Sequence, residues 1–125
     1  MLGSSNVCPA IAVKDMDAAA KFYGETLGLE KSMESPGGTF YKSGSSGVFI
    51  YPSQYAGTNQ ATYAAWNVED VEGTVEALKA KGVTFEQYDL PGAEREGDIH
   101  IMGELKAAWF KDPDGNILNI VNQIG

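Results

Sequence analysis

A chain of 125 residues, 43% hydrophobic and 21% charged, has the size and balance of one globular domain, or of two small halves sharing a core. Its net charge of −8 repels phosphate backbones, which argues against nucleic acid and favours a cationic ligand through long-range attraction. No apolar run approaches the roughly 20 residues needed to cross a bilayer, and the opening MLGSSNVCPAIAV has no secretory pattern. The lone Cys8 cannot form an internal disulfide, so a cytoplasmic location without membrane attachment is expected.

In chain order, PAIAV (9–13) reads as a short buried strand. Asp15 or Asp17 then caps a helix over DAAAKFYGETLG, in which Ala18, Phe22 and Leu27 supply the apolar side and Gly28 the stop. Three strands follow at LEKSME (29–34), GTFYKS (38–43) and GVFIYPS (47–53), separated by glycine turns. The first half is therefore β-α-β-β-β. The order then recurs. YAAWNV (63–68) predicts a strand and EDVEGTVEALKAKG (69–82) a helix with a Val71, Val75, Leu78 stripe. Strands are expected again at VTFEQYDL (83–90), at HIMGELK (100–106) with AAWF (107–110), and at NILNIV (116–121). Pro113-Asp114-Gly115 is strong turn chemistry.

The residues repeat as well as the order. AVKDMD (12–17) lies over NVEDVE (67–72), and Gly28 over Gly82. YKSGSSGVFIYPSQ (41–54) lies over FKDPDGNILNIVNQ (110–123), an offset of 69 against 54 at the glycines. About 15 residues have therefore entered the second copy, around PGAEREGDIHIMGE. That segment (91–104) is expected to be a solvated connection, with a flap over a binding cleft as the functional alternative.

With AVKDMDAAAKFYGETLGLE, WNVEDVEGTVEALKAKGV and AAWFKDPDGNILNIV in this order, the chain resembles the vicinal oxygen chelate superfamily. That group includes glyoxalase I, extradiol dioxygenases and bleomycin-binding resistance proteins. The resemblance implies an α+β fold of two β-α-β-β-β modules, about 6–54 and 61–123 within a single 1–125 domain, whose curled mixed sheets enclose a cleft. In metal-using members the first and last strand of each module offer a His, Gln or Glu to a divalent ion, which acts as a Lewis acid on substrate oxygens. The matching positions here are Cys8, Ile50, Tyr63 and Asn119. Ile50 has nothing to donate, and Asn119 lacks the charge of a glutamate. Tyr63 would have to shed a tightly held proton, and one thiolate does not make a zinc site.

Other constellations are weaker. Asp112, Asp114 and Asn116 lack the glycine and the closing glutamate of a calcium loop, with Ile117 and Gln123 in those places. No phosphate-cradling glycine motif is present. His100 is the only histidine, so it is either a partly exposed residue of the insertion or a ligand contact or acid/base over the cleft.

The expectation is a metal-free small-molecule-binding protein without a cofactor, similar to the bleomycin-binding members and pairing as a homodimer. Its ligand would lie against Cys8, Ile50, Tyr63 and Asn119, with Tyr41, Met102 and Trp109 at the rim and His100 reaching over it. The main alternative is a metal-dependent glyoxalase-like lyase, isomerase or dioxygenase drawing on His100, Glu104 or Glu34. A metal-free enzyme working through His100, Tyr63 or Cys8 is the third.

Overall fold

The structure, a computed structural model, describes residues 1–122; Gln123, the expected end of the second module, lies outside them. Two compact units divide the chain, Met1–Asn59 and Gln60–Gly125. Each runs strand, helix and then further strands, three in the first unit and five in the second, and the architecture is α+β with open mixed sheets. Among the described residues no helix is long and apolar enough to cross a membrane.

The first unit begins with a 3-10 turn, Leu2–Ser4, and then β1 (Ala10–Val13). Asp15, and not Asp17, caps the next element, accepting from the backbone N–H of Asp17 at 3.0 Å and of Ala18 at 3.1 Å. The expected single helix is split. Helix α1 (Met16–Ala19) gives way to a π-helix over Ala20–Thr26, closed by Leu27 N–H donating to the Phe22 carbonyl at 2.9 Å. The apolar residues Ala18, Phe22 and Leu27 are spaced by four and then five, and the wider turn of a π-helix suits the five. Strands β2 (Glu30–Ser35), β3 (Gly38–Ser43) and β4 (Ser46–Pro52) complete a sheet of order β1-β4-β3-β2, with β1 and β4 parallel and the rest antiparallel. Its core is Ile11, Val13, Tyr23, Tyr41, Val48 and Ile50, all on the side that receives the helix.

Gly47 is held at a close approach. A Cβ there would press on the Phe40 ring and the Tyr41 carbonyl, which belong to the strand opposite. Gly47→Ala is expected to cost about 2 kcal/mol, seen as a lower urea midpoint at unchanged m-value.

The second unit opens with β5 (Thr62–Asn67) and α2 (Val71–Ala80), whose N-cap Asp70 accepts from Gly73 N–H at 2.9 Å. Then come β6 (Phe85–Glu86), β7 (Glu94–Glu96), β8 (Ile99–Met102), β9 (Leu105–Lys111) and β10 (Ile117–Val121). The sheet order is β5-β10-β9-β8-β7, with β6 paired to one end of β9 and β5 parallel to β10. Helix α2 covers one face: Lys106 reaches Glu72, and Ala108, Phe110, Leu118 and Ile120 lie buried along the same rows. Each valine of the expected stripe, Val71 and Val75, is buried.

The 91–104 segment is not the solvated connection anticipated. It is mostly a β-hairpin, β7–β8, that extends the sheet. Glu96 and Ile99 pair across Gly97-Asp98, and only Gly97 has a positive φ, of 61°, the sign pattern of a type II′ hairpin turn. Conversely, the strand expected over 83–90 is reduced to Phe85–Glu86.

Candidate functional site

The face of the second sheet opposite α2 carries most of the unit's chemistry. Cross-strand partners point to the same side of a sheet, as do residues two apart on a strand. Asn119 on β10 is paired with Ala65 on β5 and with Trp109 on β9, and Trp109 in turn with Glu86 on β6. Farther along the same face His100 is paired with Ala107, and Met102 with Leu105. Four of the anticipated ligand contacts, His100, Met102, Trp109 and Asn119, are therefore gathered on one face.

Asn119 is 7% exposed, and its amide is engaged with the backbone. Nδ2 donates to the carbonyls of Ala108 at 3.1 Å and Ile120 at 3.3 Å. A carboxylate could make neither bond, so the polar group in this apolar strand is fitted as an amide.

His100 is also buried, at 1% exposed, in place of the partly exposed position its sequence context suggested. Its Nε2 accepts from the backbone N–H of Tyr88 at 2.9 Å and lies 3.1 Å from the Tyr88 carbonyl oxygen. That contact holds the segment between β6 and β7 against the hairpin. It also explains the short β6, because the Tyr88 amide is satisfied by a side chain and not by a strand ladder. Tyr88, His100 and Trp109 form an aromatic cluster, with centroids 4.9 Å apart for His100–Trp109 and 5.5 Å for Tyr88–Trp109, both edge to face. The Trp109 indole N–H donates to Thr62 Oγ1 at 3.1 Å. Burial, and secondarily the charge of Glu86, pushes the Tyr88 hydroxyl pKa up, so the phenol stays protonated.

Two polar atoms of this cluster, His100 Nδ1 and Tyr88 Oη, are buried without a hydrogen-bond partner among the described residues. Nearby charges are matched: Arg95 with Asp89 at 3.3 Å, Lys111 with Glu86 at 3.5 Å, and Lys79 with Asp98 at 2.8 Å. The Lys79 hydrogen bond, with a smaller one from Gln87, holds the Asp98 carboxyl below its ordinary value.

The remaining anticipated contacts are elsewhere. Tyr63 is half-buried on β5, the extra residue where the pairing with β10 slips. Cys8 is exposed ahead of β1 in the first unit. Tyr41 and Ile50 require correction: they are 3% and 0% exposed within the helix-side core of the first unit, Tyr41 lying 6.4 Å from Tyr23. Burial pushes the Tyr41 hydroxyl pKa up. The error in Ile50 has a physical origin. In the first unit Lys42 pairs with Gly47 across four residues, whereas in the second Lys111 pairs with Ile117 across five. One extra residue in the second turn moves the equivalence by one, and in a strand a shift of one reverses the face. Ala10 pairs with Phe49 as Ala65 pairs with Asn119, so the counterpart of Asn119 is Phe49. Phe49 lies on the face away from the helix, beside Phe40 and stacked on Tyr51 at 6.2 Å.

Sequence reasoning missed Phe49 as that counterpart and Tyr88 altogether. An unequal turn count could have revealed the first; Tyr88 sat in a stretch that read as strand.

The residues do not fit the divalent-ion site of metal-using relatives. The matching positions now hold Cys8, Phe49, Tyr63 and Asn119, and the amide of Asn119 is spent on backbone. Among the described residues no three His, Cys, Asp or Glu side chains converge as a metal-holding group.

Comparison with known proteins supports the architecture. The "Uncharacterized protein YurT" of Bacillus subtilis (strain 168) is 26% identical, with 94% of this chain and 98% of that protein aligned. The crystal structure of a glyoxalase family protein from Enterococcus faecalis matches with a TM-score of 0.74 at 23% identity, over 97% of this chain and 99% of that one. A bleomycin-binding protein complexed with bleomycin matches with a TM-score of 0.72 at 17% identity, over 97% of this chain and 100% of that one. At such identities the two structures bear on the fold alone. The family pattern of the Glyoxalase/Bleomycin resistance protein/Dioxygenase superfamily matches residues 7–120, nearly the whole chain, and the protein belongs to that superfamily.

Proposed function

We propose that this chain binds a small organic molecule on the α2-distal face of its second sheet without the help of a metal ion. The observation that carries the reading is Asn119: a neutral amide bonded to the Ala108 and Ile120 carbonyls stands where a metal-using relative would need a carboxylate. Around it the face offers aromatic rings and a few hydrogen-bonding groups, the usual lining of a small-molecule site. The solved relative complexed with bleomycin gives this reading a precedent on the same fold. A cationic ligand would suit the bulk charge, and pairing of two copies, tested by sedimentation, belongs to the same proposal.

Thermal melting against a compound library, run in excess chelator, is the test. A ligand at 100 times its Kd contributes about 2.7 kcal/mol, a shift of several degrees. The expected result is at least one compound giving such a shift with chelator present. Shifts that require added divalent ion, together with stoichiometric Zn, Ni, Mn or Fe in protein purified without chelator, would instead favour the metal-dependent enzyme.

A further inference from the structure

We propose that the first unit carries a binding site of its own, a groove between its helical segment and strands β2 and β3, which takes a small α-amino acid with an apolar side chain. The groove lies wholly within that unit, so the proposal does not depend on the reading above.

The groove offers about 670 Å³, a volume usual for small-molecule clefts. Its helical bank carries Asp17, Lys21 and Gly24, and its strand bank Lys31 and Tyr41. Two features of these banks are left unexplained by folding. The first is Gly24, which stands inside the π-helix, where glycine is a poorer helix former than alanine. No positive φ requires it, and a Cβ there would meet only Tyr41 Cε1, at an ordinary 3.8 Å. What the glycine does is keep space open beside the Tyr41 ring. The second feature is Tyr41 itself. It is 3% exposed, and its hydroxyl makes no hydrogen bond with a described residue. Unlike Tyr88 Oη, this hydroxyl retains accessible surface, in a side chain that lines the groove.

Charge then sets the ligand. Asp15, on the same bank, is spent on its cap; Lys31 is paired with Glu34 at 2.8 Å, and Glu25 has a partner of its own. Asp17 and Lys21 remain. They stand four residues apart, the spacing of helical neighbours, yet form no ion pair with each other or with another described residue. An α-amino acid carries both complements, an ammonium for Asp17 and a carboxylate for Lys21. The Tyr41 phenol, kept protonated by burial, can donate to the second carboxylate oxygen. Ala18, Ala20 and Leu29 give the ligand's side chain an apolar floor. An ion of a single sign would leave one of the two charges unmatched.

The test uses the full chain with three probes: L-leucine, isocaproate, which lacks the ammonium, and isoamylamine, which lacks the carboxylate. In NMR titrations L-leucine should bind at least tenfold more tightly than either, with amide shifts centred on Lys21, Gly24 and Tyr41. Tyr41→Phe should leave the melting temperature unchanged or raised, since its hydroxyl has no partner to lose, yet weaken L-leucine about tenfold. Gly24→Met should raise the melting temperature, as a better helix former, and abolish binding by filling the groove. Lys21→Gln should reduce L-leucine to the level of isoamylamine. No saturable shift with L-leucine, or binding that neither Tyr41→Phe nor Gly24→Met weakens, would overturn the site. Equal binding of all three probes would overturn the ligand class. Marked destabilisation by both Tyr41→Phe and Gly24→Met would remove the premise, by showing that the hydroxyl and the glycine already serve the fold.

Discussion

Asn119→Asp is expected to destabilise the protein by about 3 kcal/mol at neutral pH, although it replaces one atom and conserves shape. The wild-type amide donates to two backbone carbonyls in a position only 7% exposed. The substituted carboxylate has no hydrogen to give and would direct negative charge at the same two oxygens. Its effect should depend on pH in a definite sense. Burial against acceptors raises the folded-state pKa of the new carboxyl above its unfolded value, so the charge penalty is absent below the unfolded pKa, where both states are protonated and the single O–H replaces one of the two donated bonds. It grows as pH rises between the two pKa values, and is complete above the folded one. Urea denaturation of wild type and variant across the acid range measures this directly. A constant difference between them at every pH would show that the amide is solvated and uninvolved.

Asp112→Ala should cost a similar amount, about 3 kcal/mol, and lower the melting temperature by about 10 °C. Asp112 is 5% exposed and its carboxylate accepts from Asp114 N–H at 2.9 Å, Asn116 N–H at 2.9 Å and Asn116 Nδ2 at 2.8 Å. Truncation takes the acceptor from the two buried Asn116 donors and the part-buried Asp114 N–H, which costs more than the bonds themselves contribute. The loop also fixes the extra residue that sets the register of β10. The variant should therefore broaden or shift the backbone amide resonances of β10, Asn119 included, and not only those of the turn. Asp112→Asn keeps one acceptor oxygen and should lie between the two.

The order of elements was legible because each rests on local signals. Asp15 and Asp70 cap their helices, glycines mark the turns, and the Val71 and Val75 stripe is buried as its spacing demands. What could not be read were facts settled by tertiary partners. VTFEQYDL has the composition of a strand, yet His100, twelve residues beyond Tyr88, supplies the bond that a ladder would have supplied. The acidic 91–104 stretch alternates as Glu94-Arg95-Glu96 and Ile99-His100-Ile101, a pattern weak enough to pass for a loop until paired with its neighbour. At the site, His100, Met102, Trp109 and Asn119 shared a face as their strands allowed. Ile50 went to the opposite kind of environment because strand geometry forgives no miscounted residue, and the two turns differ by one; Tyr41, on the helix-side face of β3, packs 6.4 Å from Tyr23, a partner that only the tertiary fold supplies. A ligand list drawn from a repeat is only as sound as the loop lengths on either side of it.

Two of the end strands, β2 in the first sheet and β7 in the second, bear on how copies of this chain can meet. Every residue of both is exposed. Strand β2 is interrupted by a slip in register beside the Lys31–Glu34 ion pair, and β7 is three residues long with a charge at each position. A neighbouring backbone seeking to zip onto either rim would find a crooked rail or a very brief one, fringed with charge. Association at those rims is thereby steered away from continuous ribbon growth, the route that leads to fibrils, and toward contacts made by side chains, which can be saturated and stop.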